Sequence, residues 1–299
     1  MSDQLLSGSS KGSPRGLVRG LTTPQPTAPE WVLQGFETAG RKVVSAFGMI
    51  GDLSAMMLDA VWSTGSALIH RRFSWSEFFE QTWFLISVCV LPTILISIPF
   101  GLVLVLEVGG LSLQIGASSI VGAIDAIGIV QQAAPVITAI LLAGAGGSAI
   151  CSDLGARNMR DEIAAMWVMA IDPVERLVAP RVLATVVVAL LLNGIVAFAG
   201  IMSGYVAAVL ILHTSAGGFL DSFSAFAQPS DIIQSMFKAA LFGLMASAVA
   251  SHQGLNAKKG PAGVGEAVNR SVVITGVGLF VLNVIVTEVF LVIVPPKVL

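Results

Sequence analysis

The sequence predicts an all-α integral membrane protein with five transmembrane helices. Three observations carry that reading. Hydrophobic residues fill 55% of the 299 positions and charged residues 11%, against about 25% charged in an ordinary soluble domain. Apolar runs long enough to cross about 30 Å of hydrocarbon, which takes ~20 helical residues, lie near 83–106, 129–152, 182–212, 232–251 and 271–294. Each run is unbroken, without the apolar–polar alternation of a barrel strand, so helices are the spanning elements.

Residues 1–30 are rich in Ser, Gly, Pro and Thr and have no apolar core, which predicts a disordered cytoplasmic tail and no cleavable signal. Residues 31–75 form an amphipathic region. From Trp31 to Val61 apolar residues recur at helical spacing (Leu33, Phe36, Val43, Phe47, Ile50, Met57) with Glu37, Arg41, Asp52 and Asp59 between them. That pattern suits an interfacial helix on the inner membrane surface, or a cytosolic helix packed on other protein. Residues 76–299 are the membrane domain. Ser74 and Glu77 have the spacing of a capping box at the start of its first helix. Pro92 and Pro99 are placed to kink that span, and the third span, longer than the bilayer requires, is expected to tilt or project.

Positive charge sets the orientation. Arg157, Arg160, Arg176 and Arg181 separate spans two and three, and Lys258, Lys259 and Arg270 separate spans four and five. The segments 107–128 and 213–230 carry no Lys or Arg, only Glu107, Asp125 and Asp221. The positive-inside rule then puts the N-terminus and the 153–181 and 252–270 loops in the cytoplasm and the C-terminus outside the cell membrane.

Little in the chain suggests catalysis. No GxxxxGK[ST] phosphate loop occurs, and His70, His213 and His252 are scattered without metal or triad spacing. Cys89 and Cys151 read as packing residues. The net charge of −2 gives no nucleic-acid signal. No catalytic residue, metal ligand or bound cofactor is expected. Gly144, Gly146 and Ala149 resemble a loose dinucleotide fingerprint but fall inside a span, where small residues allow close helix packing; Gly200 and Gly204 read the same way. Lys238 lies seven residues into the fourth run, where an inserted ammonium costs at least ~2.5 kcal/mol. Either it snorkels to the outer interface or it faces a cavity. Gln132, Asn193 and Asn283, with Lys238, are the candidate polar residues of such a cavity.

The segment between spans two and three is different. Asp161, Glu162, Ile163, Met166 and Met169 fall on a predicted helix that ends before Asp172-Pro173, because proline disfavours helix at the preceding residue. Acids in its first turn suit the helix dipole. Ile163, Met166, Trp167 and Met169 offer an apolar side that could fill a partner's groove or rest on the membrane.

These residues carry a resemblance. AGAGGSA at 143–149, Asp153-Leu154-Gly155, DEIAAM at 161–166, Ile171-Asp172-Pro173 and Pro180-Arg181 follow the order found in the MlaE/YrbE permease family of ABC lipid transporters. HQGLNAKKGPAGVGEAVNRSVV from His252 and Lys238 in FKAALFG are similar to further family elements. The long N-terminal extension and VLPTILISIP look closest to the YrbE permeases that accompany actinobacterial Mce proteins. Three positions depart from the family pattern: Ala145 where an arginine is frequent, Gln132 where an acid is common, and Ala164 where an aspartate is usual.

The resemblance implies a transport subunit rather than an enzyme. It makes the 161–169 helix, with Asp172, a coupling helix gripped by a cytosolic ABC ATPase dimer that binds the ATP and Mg. It also implies a second YrbE-type permease with a lipid-accommodating space between the two, and extracytoplasmic MCE-domain proteins as further partners. Lipid import is the expected activity. The other reading is an ion-coupled secondary transporter, which would want internal repeats and paired intramembrane ionisable groups.

Overall fold

The computed structural model describes Gly51, residues 74–117 and residues 120–293. The predicted tail and the amphipathic helix of 31–61 lie outside the described residues, Gly51 apart. Among those described there is no strand. Seven helices organise the region from 74 to 293: α1 (Trp75–Gln114), α2 (Val121–Met159), α3 (Glu162–Val168), α4 (Val174–Leu210), α5 (Ala216–Phe226), α6 (Pro229–Leu255) and α7 (Pro261–Ile293). The helices α1, α2, α4, α6 and α7 are long and apolar enough to cross a membrane, so the chain is a multi-pass membrane protein with the five spans the composition predicts.

Most of these helices outrun the apolar segments that announce them. The run at 129–152 is only the middle of α2, whose first turns are covered by α5. A Cβ added to Gly122 would strike the Phe219 carbonyl oxygen. α4 begins eight residues before its run but stops at Leu210, two residues short of its predicted end. There the backbone turns, with the Leu212 N–H bonded to the Ala207 carbonyl and the Thr214 N–H to that of Ala208. Pro92 and Pro99 both lie within α1, which runs through them.

Close approach of small residues holds the bundle together, as expected where lipid removes the hydrophobic drive between helices. Gly101 on α1 lies so near α4 that a Cβ would collide with the Gly200 carbonyl and the Ser203 hydroxyl. On α6, a Cβ at Gly243 would stand 2.8 Å from Ala189 Cβ of α4, and one at Gly254 would stand 2.8 Å from Leu154 Cβ of α2. Gly200 and Gly204 serve this purpose, facing Ile129 and Asp125 of α2. Gly144 does not: a Cβ there would meet nothing within 4 Å, which corrects its assignment to close packing. The most apolar stretches of α2 and α6 are 61% buried, that of α7 only 11%, so α7 is the peripheral helix.

Two local expectations fail. Ser74 makes no side-chain cap, and Glu77 turns away from the helix end to accept from Gln81 Nε2 at 3.1 Å and from Arg181 Nη2 at 3.3 Å. A charge-assisted bond to a guanidinium outcompetes a neutral bond to a terminal N–H. The capping box that does form opens α6, where Asp231 Oδ2 accepts from the Gln228 N–H at 3.1 Å ahead of Pro229. Asp125, expected in an outer loop, is on α2 and fully buried.

Candidate functional site

The helix predicted between spans two and three is α3, one turn shorter at its end than Asp172-Pro173 requires. Asp161 precedes it with φ +58°, and Ala170 follows with φ +56°, so tight left-handed turns bracket the helix and set it off from α2 and α4. Its apolar residues divide between two faces. Ile163 is buried, and Met166 packs against the main core cluster, to which all five spanning helices contribute. Trp167, Val168 and Met169 are 62%, 88% and 60% exposed. The exposed apolar side of α3 is therefore Trp167-Val168-Met169, whereas Ile163 and Met166, both expected on its apolar docking side, pack toward its own bundle.

The acids of this segment have local partners. Asp161 Oδ1 accepts from Lys259 Nζ at 2.8 Å, which ties α3 to the loop between α6 and α7. Asn158 Nδ2 reaches the Ala257 carbonyl in the same loop at 2.9 Å. Glu162 Oε1 accepts from Arg160 Nε at 2.6 Å, and that guanidinium holds the Glu162 carboxyl below its ordinary range. Asp172 Oδ1 accepts from the Val174 N–H at 2.8 Å, a bond that starts α4 immediately after Pro173.

Where the end of α2 meets the start of α4 lies an ion network that the sequence did not announce. Arg181, near the start of α4, is fully buried. Its Nη2 lies 2.5 Å from Asp153 Oδ2 of α2 and 3.3 Å from Glu77 Oε1 of α1, and its Nη1 donates to the Leu177 carbonyl at 3.3 Å. Arg157 adds a further contact to Asp153 at 3.3 Å. One guanidinium thus joins three spanning helices at the neck of the α2–α3–α4 excursion. The available signal was an arginine following proline at the mouth of an apolar run.

The four polar cavity candidates do not converge. Asn193 and Ser235 bond each other across α4 and α6, at 2.9 and 3.3 Å. Gln132 lies half-buried in a π-helical stretch of α2, Ala126–Ala133. Lys238 is fully buried, so it does not snorkel, and its Nζ donates to the Gln131 carbonyl at 3.1 Å. The reason is local. Pro135 has no N–H to return to the carbonyl four residues earlier, and Lys238 supplies a donor there. Asn283 lines an apolar crevice of about 350 Å³ between α2, α6 and α7. Replacing Lys238 by Met removes a donor, a loss of about 1–3 kcal/mol, together with an inserted charge of comparable cost. Lys238→Met is therefore expected to unfold within a few degrees of the wild type, and to lose transport at least tenfold where the lysine serves the substrate path; parallel melting and uptake measurements check both.

Comparison with known proteins fits this arrangement. A permease protein of Rickettsia felis, described as a probable ABC transporter permease, is 26% identical over 85% of this chain and 96% of its own length. A probable ABC transporter permease protein of Synechocystis is 29% identical over 61% of this chain and 70% of its own. The intermembrane phospholipid transport system permease protein MlaE of Haemophilus influenzae is 26% identical over 84% of this chain and 95% of its own. The model of the family described as Permease MlaE matches residues 78–289, from the first turn of α1 nearly to the end of α7. With all but the outermost few residues of its spanning bundle inside that match, the chain belongs to the MlaE permease family.

Proposed function

We propose that this chain is the membrane-spanning permease subunit of an ABC-type lipid transporter, driven by a separate cytosolic ATPase dimer that grips α3. The observation that carries the reading is the exposed Trp167-Val168-Met169 face on a short helix anchored to the bundle, in a permease family whose relatives include a phospholipid transport component. The chain has no nucleotide loop of its own, so ATP and Mg belong to the partner. A large exposed apolar face on a cytoplasmic helix is an interaction surface.

A second YrbE-type permease completes the transporter, and exposed apolar residues such as Phe198 on α4 and Phe280 on α7 leave surface for it. Extracytoplasmic MCE-domain proteins hand lipid across the envelope, and transport runs inward. These partners and the direction follow from the resemblance to Mce-associated permeases, which rests on the long N-terminal extension and VLPTILISIP.

Orientation decides whether an ATPase can reach α3. Single cysteines at positions 167 and 258 in a Cys89/Cys151-free background are expected to react with an impermeant maleimide only after the cells are opened, and one at 217 in intact cells. Reaction of position 258 from outside intact cells contradicts the five-span orientation and, with it, the coupling role of α3.

A further inference from the structure

The crevice between α2, α6 and α7 has features beyond a gap in packing. Its wall is apolar, with Ile140, Phe242, Leu279 and Phe280 among its residues, and its volume of about 350 Å³ lies within the range of small-molecule sites, ~300–1,000 Å³. It runs along α7 from Val272 to Asn283, about 16 Å at 1.5 Å per helical residue. Glycines on opposite walls keep it open. A Cβ at Gly144 of α2 or at Gly276 of α7 would meet nothing within 4 Å, unlike the crowded glycines at the other helix crossings. Gly144 also belongs to a π-helical stretch, Leu142–Gly146, a distortion frequent at functional sites.

One polar side chain stands on this wall. Asn283 Oδ1 is buried without a hydrogen-bond partner, and an unsatisfied buried acceptor is costly. We propose that the crevice binds one hydrocarbon chain of a lipid that carries a hydroxyl, the hydroxyl donating to the Asn283 amide oxygen and the alkyl part lying against Gly144 and Gly276. A long-chain alcohol has both parts; an ether or hydrocarbon of equal length has only the second. The inference deepens the reading of the chain as a lipid permease by assigning a substrate class to one site.

The test uses the full-length protein in phosphatidylcholine nanodiscs and a photoreactive diazirine analogue of 1-hexadecanol, with labelled peptides located by mass spectrometry. Labelling is expected on both walls, within 136–144 and 272–283. Unlabelled 1-hexadecanol should compete about tenfold better than hexadecyl methyl ether, the factor one buried hydrogen bond supplies. Gly276→Leu, whose added side chain enters open space, should cut labelling at least fivefold with its melting temperature kept. Asn283→Leu should keep labelling but abolish the preference for the alcohol. Equal competition by alcohol and ether, or labelling spread evenly over all lipid-facing helices and untouched by Gly276→Leu, overturns the proposal and leaves the crevice filled by bulk acyl chains. Recovery of an ATPase with the same variants separates the two claims. If labelling fails while the ATPase is retained, only this site falls; if wild-type chain retains no ATPase, the permease reading falls.

Discussion

Neutralising the two acids around Arg181 is expected to damage the protein more than removing Arg181 itself. Arg181 has no exposed side-chain surface, whereas Asp153 and Glu77 are 41% and 22% exposed. Glu77→Gln with Asp153→Asn strands a guanidinium away from water, and stripping the partner from a buried charge costs about 3–5 kcal/mol. Arg181→Met leaves two carboxylates that water can reach, which discounts the loss to roughly 1–2 kcal/mol. Melting of purified protein in detergent reads the order: the double acid variant should fall well below Arg181→Met, and both below wild type. Because the guanidinium joins α1, α2 and α4 where α2 and α4 flank α3, both should also lose lipid transport. Equal melting of all three proteins would show that the network is not a structural clamp.

The second large effect concerns α3. Trp167→Asp combined with Met169→Asp places two charges on the exposed face without touching the bundle. Truncated anchors at interface hot spots cost about 2 kcal/mol or more, roughly a 30-fold loss of affinity. ATPase recovery should therefore collapse while the melting temperature holds. Ile163→Asp is the contrasting variant. That side chain is 8% exposed, so a buried unpaired charge should destabilise the permease itself. Glu162→Lys should act weakly, since charges at an interface rim contribute little to affinity. Loss of ATPase from Ile163→Asp alone, with Trp167→Asp/Met169→Asp silent, would return the docking face to the buried side.

The helices were legible in the sequence because bilayer thickness imposes a length and a composition on each span, and both survive without knowledge of packing. The position of α3 was legible for a similar reason, since Asp172-Pro173 sets a limit it cannot pass and charged residues exclude it from the hydrocarbon; its actual end at Val168, closed by the left-handed turn at Ala170, was not. Its working face was not. A seven-residue helix carries apolar residues on both sides, and only the bundle decides that Ile163 turns inward while Trp167 turns out. The Arg181 network joins residues as far as 104 positions apart, and no periodicity connects them. Lys238 was noticed as a costly charge, but its partner is a backbone carbonyl left without its usual donor by Pro135, invisible in any side-chain pattern. Gly144 and Gly200 show the same limit: one leaves space and the other fills a crossing, and their surroundings alone distinguish them. Asp125, buried against Gly204 with neither carboxylate oxygen bonded, was misplaced because α2 begins eight residues before its apolar run.

The central claim is that a separate ATPase drives lipid movement through this chain by way of α3. The most direct measurement is ATP-dependent transfer of a fluorescent lipid by the tagged permease, isolated with its native partners and reconstituted in liposomes. The account predicts transfer that requires ATP and a co-purified nucleotide-binding subunit, and that both are lost together in Trp167→Asp/Met169→Asp. Transfer by the permease without any nucleotide-binding subunit, sustained by an ion gradient and indifferent to ATP, would contradict it.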